Sequence, residues 1–514
     1  MAKLAALPKR PPTAAIKTRS KFKPDTITHE GGAGFSRKPK SELFLLAVTN
    51  MVGEKTFYED ATDRDARFEA LISQVALADP DWIARFVPYL RNTMNMRSAS
   101  IVMAAELVHT KLTQPVAAST ITNRTIVRSA IARADEMAEF IGYWRSRFGK
   151  SLPMPVKRGI ADAAVHFINE RNAIKWDGQG KPIRFADILD IVHPTPVAPW
   201  QATLWKHLLD ERHGHATEVP EALTTLRAYR TAQALEGDAF RSSFPEVAEH
   251  FTWETASSKY GKLDAAFWQA LVPHMGYMAL LRNLRNLDGA TVDETTIEIV
   301  RKKLRDPDEV AKSRQFPMRF LSAWKTVVGM RWAETLETAL GLSVLNVPEL
   351  RGRTLVLVDV SGSMAGALSA KSDLARWEAA AVFGAALAVR NDGDLVTFDT
   401  TSRKVPAAKG GSILRVVDVI RTQVGGGTNT VDAVLSNYKG HDRIVILTDE
   451  QAFSDARLNS VIGLDVPIYT YNLAGYKAAH LPSGGKRYTF GGLSDAAFTA
   501  MDLLERDTDS GWPF

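Results

Sequence analysis

At Arg351 the hydrophobic pattern of this chain switches period, and no single architecture accommodates both parts. From Ser41 to about Leu345 the apolar residues recur at helical spacing. Beyond Arg351, short continuous apolar runs alternate with helical stretches. A helical repeat buries a stripe, whereas a continuous run buries both faces of a strand. The chain therefore divides into a helical part over residues 25–345 and an α/β part over 350–514, preceded by a basic disordered tail, 1–24. At 514 residues in all, each part has enough chain to bury its own core.

Leu43, Leu46 and Val48 lead the first helix, and Phe68, Leu71, Ile72 and Val75 form the stripe of the next. Trp82, Phe86, Val87 and Leu90 repeat it behind the start signal Asp79-Pro80-Asp81. Further helices are expected over 98–111, 123–148, 156–170, 184–192, 199–213, 220–235, 263–273, 276–286, 293–304 and 318–341. So many helices with short connections cannot share one bundle core. Stacked in pairs as a HEAT-like α-solenoid, each buries its apolar face against its neighbours.

In the α/β part, strands are expected at 354–359, 394–398, 443–448 and 467–471, with helices over 373–389, 412–421, 430–438 and 495–505. That alternation means a parallel sheet covered on both faces, a doubly wound, Rossmann-like unit. Ligands of such sheets sit beyond the carboxyl ends of the strands. Three polar loops converge there: Asp359-Val360-Ser361-Gly362-Ser363, the glycine run 425–427 leading to Thr428, and Asp449-Glu450. Asp359, Ser361, Ser363, Thr428 and Asp449 form an all-oxygen donor set, which suits a hard divalent cation such as Mg²⁺. Gly362 is expected to supply the tight turn that aims both serine hydroxyls at one centre. The glycine run lacks the Lys-Ser/Thr ending of a phosphate-binding loop, which disfavours nucleotide hydrolysis. The serines are not framed as GxSxG and no histidine lies near them in sequence, which disfavours a serine hydrolase.

Composition narrows the chemistry further. The absence of cysteine removes disulfides, thiolate metal sites and cysteine nucleophiles. The longest apolar run, residues 379–389, is about half of what a membrane-spanning helix needs. The N-terminus lacks the apolar core of a signal peptide, so a soluble, cytoplasmic protein is expected. The net charge of +6 is a property of the tail: residues 1–40 carry ten Lys/Arg against Asp25 and Glu30. Such an arm suits a polyanion, nucleic acid first.

Asp359-x-Ser361-x-Ser363 with Thr428 and Asp449 resembles the metal-ion-dependent adhesion site (MIDAS) of von Willebrand factor A domains. The resemblance implies that the hydroxyls contact the ion, that Asp359 and Asp449 act directly or through water, and that a partner's carboxylate completes the coordination. The helical part resembles the TROVE module of the Ro ribonucleoprotein autoantigen family in the phrases at 29–32, 53–58, 187–194, 252–254 and 279–284. What this implies is a HEAT-like ring that binds a small Y-like RNA on its outer surface and single-stranded 3′ ends of misfolded noncoding RNA in its hole. The role that the resemblance implies is RNA quality control or processing, beside an exoribonuclease such as polynucleotide phosphorylase. Arg171 and His193 align with positions that the family uses for RNA, whereas Phe167 stands where another basic residue is expected. Arg145, Arg147, Lys157, Arg158, Arg282, Arg285, Lys302 and Lys303 are further candidates, because phosphate contacts need Lys/Arg. The expectation is a non-enzymatic RNA-binding protein. The alternative is a metal-dependent protein-interaction adaptor that uses the helical part as scaffold.

Overall fold

The computed structural model describes residues 26–27, 33–34, 39–49, 61–215, 218–327, 330–368, 374–449, 462, 466–473, 486–490, 496–506, 512 and 514. The tail expected over 1–24, the phrases at 29–32 and 53–58, and Glu450 lie outside them. Near the start, β1 (Thr26–Ile27) pairs with β2 (Ala33–Gly34). Helices then follow one another from Pro39–Thr49 to Ala333–Ser343.

Helix Pro80–Asn92 shows how the local sequence starts such an element. The Asp79 carboxylate accepts the Trp82 N–H at 3.1 Å, and Pro80 fixes the first turn. The expected stripe of Trp82, Phe86, Val87 and Leu90 is buried. Three expected helices are broken. In place of 123–148 stand Asn123–Ala130 and Glu136–Phe148, because the Glu136 carboxylate folds back to accept the N–H groups of Ala132 (2.7 Å) and Arg133 (3.1 Å). In place of 156–170 stand Met154–Phe167 and Glu170–Trp176, the second capped by the Asn169 side chain. In place of 318–341 stand Pro317–Thr326 and Ala333–Ser343, and the junction buries Trp332, whose indole N–H donates to Asp288 at 2.9 Å. Gly237–Val247, Trp253–Tyr260 and Pro307–Ser313 are short helices that the periodicity does not announce.

The C-terminal sheet comprises β3 (Thr354–Asp359), β4 (Asp394–Phe398), β5 (Ser402–Val405), β6 (Arg443–Thr448), β7 (Ile468–Asn472) and β8 (Arg487–Phe490). The order is β5-β4-β3-β6-β7-β8, parallel throughout except for the antiparallel edge strand β5. Alternation along the strands separates two cores. Val356, Val358, Val445, Leu447, Tyr469 and Tyr471 belong with helix Arg376–Asn391, whereas Leu355, Leu357, Ile444 and Ile446 belong with Thr430–Asn437. Gly384 permits the close approach on the first face, since a Cβ there would lie 2.7 Å from Val358 Cγ2.

Helix Arg376–Asn391 also meets helix Pro317–Thr326 of the helical part. Covered on opposite sides, it is apolar all round, which accounts for the run 379–389. Among the described residues, no helix is long and apolar enough to cross a membrane. Two further contacts tie distant parts of the chain. Arg314 Nη1 donates to Asn92 O at 2.9 Å, joining late and early helices of the array. Trp512 and Phe514 stack among Phe44, Trp82 and Phe86 with ring centroids 4.8–5.4 Å apart.

Candidate metal centre and nucleic-acid surface

The carboxyl ends of β3 and β6 place Asp359 and Asp449 on the same rim, both wholly buried. After β3 the chain turns through a 3₁₀ segment, Gly362–Ala365, and the Ser361 and Ser363 hydroxyl oxygens come to lie 3.2 Å apart. The glycine run is stitched to this turn: Gly425 N donates to Val360 O at 2.8 Å, and Gly362 N donates to Gly426 O at 3.0 Å. Thr428 follows directly, half-buried, ahead of the Asn429 cap of helix Thr430–Asn437. The expectation for Gly362 is corrected here. Its φ is not positive, and a Cβ would meet only Gly426 O at 3.6 Å. The glycines that the loop requires are Gly425 (φ 147°) and Gly426 (φ 82°).

The two acids are held differently. Asp359 accepts the Ser361 N–H at 2.8 Å and the Thr448 hydroxyl at 2.6 Å. Burial nevertheless pushes its pKa up to about 6, and the Asp449 charge adds to the shift. Neither carboxylate oxygen of Asp449 has a hydrogen-bond partner among the described residues, and the same holds for the buried Thr430 hydroxyl. Its ionic neighbour is Arg376, with Nη1 3.6 Å from Oδ2. Buried oxygens left with lone pairs to fill are what an oxygen-preferring cation requires, so the residues fit the divalent ion that the motif implies. Among the described residues there is no group of three or more His, Asp or Glu that could hold a metal, so a cation here would have to draw on the hydroxyls beside the two carboxylates.

Two rim residues escaped sequence reading. Asp399, beyond β4, accepts both Arg403 guanidinium N–H groups at 3.1 Å and the Thr401 N–H at 2.7 Å. Burial raises its pKa, but those bonds outweigh burial and hold it below the usual carboxylate range. Arg376 is held beside an antiparallel bridge between Ala367 and Ala375: its N–H donates to Gly366 O at 2.9 Å, and Leu368 N donates to Leu374 O at 2.9 Å. Neither position carries a sequence signal. No described histidine bonds to Ser361 or Ser363; the buried His441 sits at the opposite end of the sheet, 2.7 Å from Asp394.

The candidate nucleic-acid residues fall into two groups. Arg145, Arg158, Arg171, Arg282, Arg285 and Lys302 are exposed, Lys157 is half-exposed, and none has an ion-pair partner among the described residues. By contrast, Arg147 bridges Glu69 (2.8 Å) and Glu106 (3.0 Å), and Lys303 donates to Met275 O at 2.9 Å. Those two tie their helices to neighbouring segments of the array. His193 is the C-cap of Phe185–Val192, in left-handed conformation at φ 47°, with its imidazole exposed. At Phe167, where a basic side chain was expected, the Arg128 guanidinium lies over the ring, 5.2 Å from its centroid. A cationic group from a neighbouring helix thus occupies that position in space.

Comparison with known proteins gives three findings. The TROVE domain family matches residues 246–331, which include the phrases at 252–254 and 279–284. Telomerase protein component 1 is similar over short segments. The mouse (Mus musculus) protein is 37% identical over 78 residues, 15% of this chain and 3% of its own length. The rat (Rattus norvegicus) protein is 31% identical over 136 residues, 23% of this chain and 5% of its own length. The match therefore spans a small fraction of those relatives. The crystal structure of the Ro (RSR) protein of Deinococcus radiodurans superimposes with a TM-score of 0.67 at 18% identity. The superposition covers 90% of this chain and 99% of that one, so the two share a fold.

Proposed function

We propose that the chain is a TROVE-domain protein of the Ro family, an RNA-binding protein acting in cytoplasmic RNA quality control or processing. The helical array closes into a ring, and the α/β part that follows it is a von Willebrand factor A-type domain. The Arg314–Asn92 bond, which joins helices far apart in sequence, supports closure. A small Y-like RNA binds the outer surface, and single-stranded 3′ ends of misfolded RNA enter the hole. The observation that carries the reading is a TROVE match within the Ro fold, together with exposed guanidinium and ammonium groups that no carboxylate among the described residues neutralises. Such groups contact phosphates without first breaking an ion pair.

The α/β part acts by docking and not by catalysis. Ser361, Ser363, Thr428, Asp359 and Asp449 would hold Mg²⁺ or another divalent cation. A bound cation would supply an electrophilic anchor for a partner's carboxylate. A processing exoribonuclease such as polynucleotide phosphorylase works alongside, and an acidic protein ligand occupies the rim.

The experiment is stringent purification from native cells at moderate salt, followed by sequencing of the RNA retained. A discrete small structured RNA in near-stoichiometric amount is expected. RNA no richer than in a control purification overturns the reading in favour of the adaptor function, in which the metal-site partner is the ligand of interest.

A further inference from the structure

Arg376 lies outside the oxygen-donor set, yet it is the cation that the fold delivers to it. We infer that Arg376 is an internal competitor for the metal site. Its guanidinium and a divalent cation contend for the same Asp449 carboxylate, so that metal binding is an exchange of cations. This rests on the reading of Asp359, Ser361, Ser363, Thr428 and Asp449 as a metal site.

Asp449 is wholly buried, and neither of its oxygens accepts a hydrogen bond from a described residue. A carboxylate so placed needs a positive charge nearby. The charge is provided by Arg376, whose Nη1 stands 3.6 Å from Oδ2, beyond hydrogen-bonding distance. A permanent structural partner would engage it as a two-pronged fork at hydrogen-bonding distance. The observed contact compensates charge but leaves the carboxylate lone pairs open.

The surroundings explain how Arg376 is poised there. It opens helix Arg376–Asn391, and its backbone is fixed to Gly366 by the 2.9 Å bond. Gly366 packs directly against the guanidinium, since a Cβ there would be in ordinary contact, 3.5 Å from Cζ. Nη1 also reaches Ser363 O at 3.5 Å, so the group stands over the turn that carries two of the hydroxyl ligands. The side chain retains 15% exposure, so the group is not sealed from solvent. Once a divalent ion sits among these oxygens, the guanidinium is a like charge at short range and is repelled.

The test is calorimetric titration of the full-length, EDTA-treated protein with Mn²⁺, for the wild type, Arg376→Gln, Arg376→Met and Asp449→Asn. Removing the competing charge is expected to tighten Mn²⁺ binding roughly ten- to a hundredfold, the scale of one neighbouring charge. Combining Asp449→Asn with Arg376→Gln should erase the gain. In EDTA both Arg376 variants should melt below the wild type, and saturating Mn²⁺ should raise their melting temperature more than it raises the wild type's. Variants that fold only when Mn²⁺ is present are the same result in its strongest form. Equal affinity for wild type and variants overturns the competition and leaves the metal site standing. Weaker binding by the variants also overturns it, because Arg376 then orients Asp449 for the ion. No Mn²⁺ binding by any of these proteins overturns both the competition and the metal-site reading.

Discussion

Asp359 and Asp449 occupy the same rim with opposite hydrogen-bonding situations, and the difference has a measurable consequence. The Asp359 carboxyl keeps a pKa of about 6 in the folded chain because burial disfavours its charge. Between its ordinary value and that one, the folded protein holds a proton that the unfolded chain has released. Stability from this group is therefore present at low pH and is lost as pH rises through about 6. The same proton competes with a metal. Mn²⁺ affinity should be level above about pH 6.5 and fall about tenfold per pH unit below 6. Calorimetry from pH 5 to 8 checks this, and a flat profile contradicts it. The Asp-x-Ser-x-Ser spacing was legible in the sequence because strand end, turn and side-chain chemistry are all local there. Arg376 was not, because its approach depends on a backbone pairing between Gly366 and Arg376. Gly362 misled because a glycine between two serines reads as a turn requirement, whereas the positive φ values fall on Gly425 and Gly426.

Among the elements, the helix breaks are where local patterning gives way to long-range contacts. Glu136 organises residues 131–135 and forms a two-pronged buried pair with Arg91, Nη2 to Oε1 at 2.6 Å and Nε to Oε2 at 3.2 Å. A partner 45 residues away cannot be read from periodicity. Glu136→Ala leaves the Arg91 charge buried alone and should cost about 3–5 kcal/mol in urea unfolding. A loss below about 1 kcal/mol would show that the break is set by other contacts. Gly159 marks the closest approach of helices Met154–Phe167 and Asn123–Ala130: a Cβ there would lie 2.8 Å from Arg124 O and 2.6 Å from Val127 Cβ. Overpacking of about 1–3 kcal/mol should exceed the gain of about 1 kcal/mol in helix propensity, so Gly159→Ala should lower the melting temperature. A rise would mean that the two helices separate freely. The central strands were legible as continuous apolar runs. The polar edge strand β5 was not, since pairing on one side demands no such run.

In the whole molecule, the change of period at Arg351 marks the passage from helices to a mixed sheet, and the two parts meet through helix Arg376–Asn391. The fold was legible as far as the order of its parts. How those parts meet was not, because Arg314 with Asn92, and Trp512 with Phe44, join residues hundreds of positions apart. With RNA bound by the helical array and metal by the rim, as proposed, the two activities should separate. Asp359→Ala should abolish Mn²⁺ binding yet leave RNA affinity within about twofold, since it removes no phosphate contact. The most direct measurement is fluorescence anisotropy with a structured RNA bearing a single-stranded 3′ tail, titrated at several salt concentrations. It compares the wild type, Asp359→Ala and the double variant Arg282→Glu/Arg285→Glu. Binding by the wild type and Asp359→Ala should weaken steeply with salt, and the double variant should lose at least about tenfold with a shallower salt slope. Weak, salt-insensitive binding by the wild type would contradict this reading, as would equal loss from Asp359→Ala and from charge reversal in folded proteins.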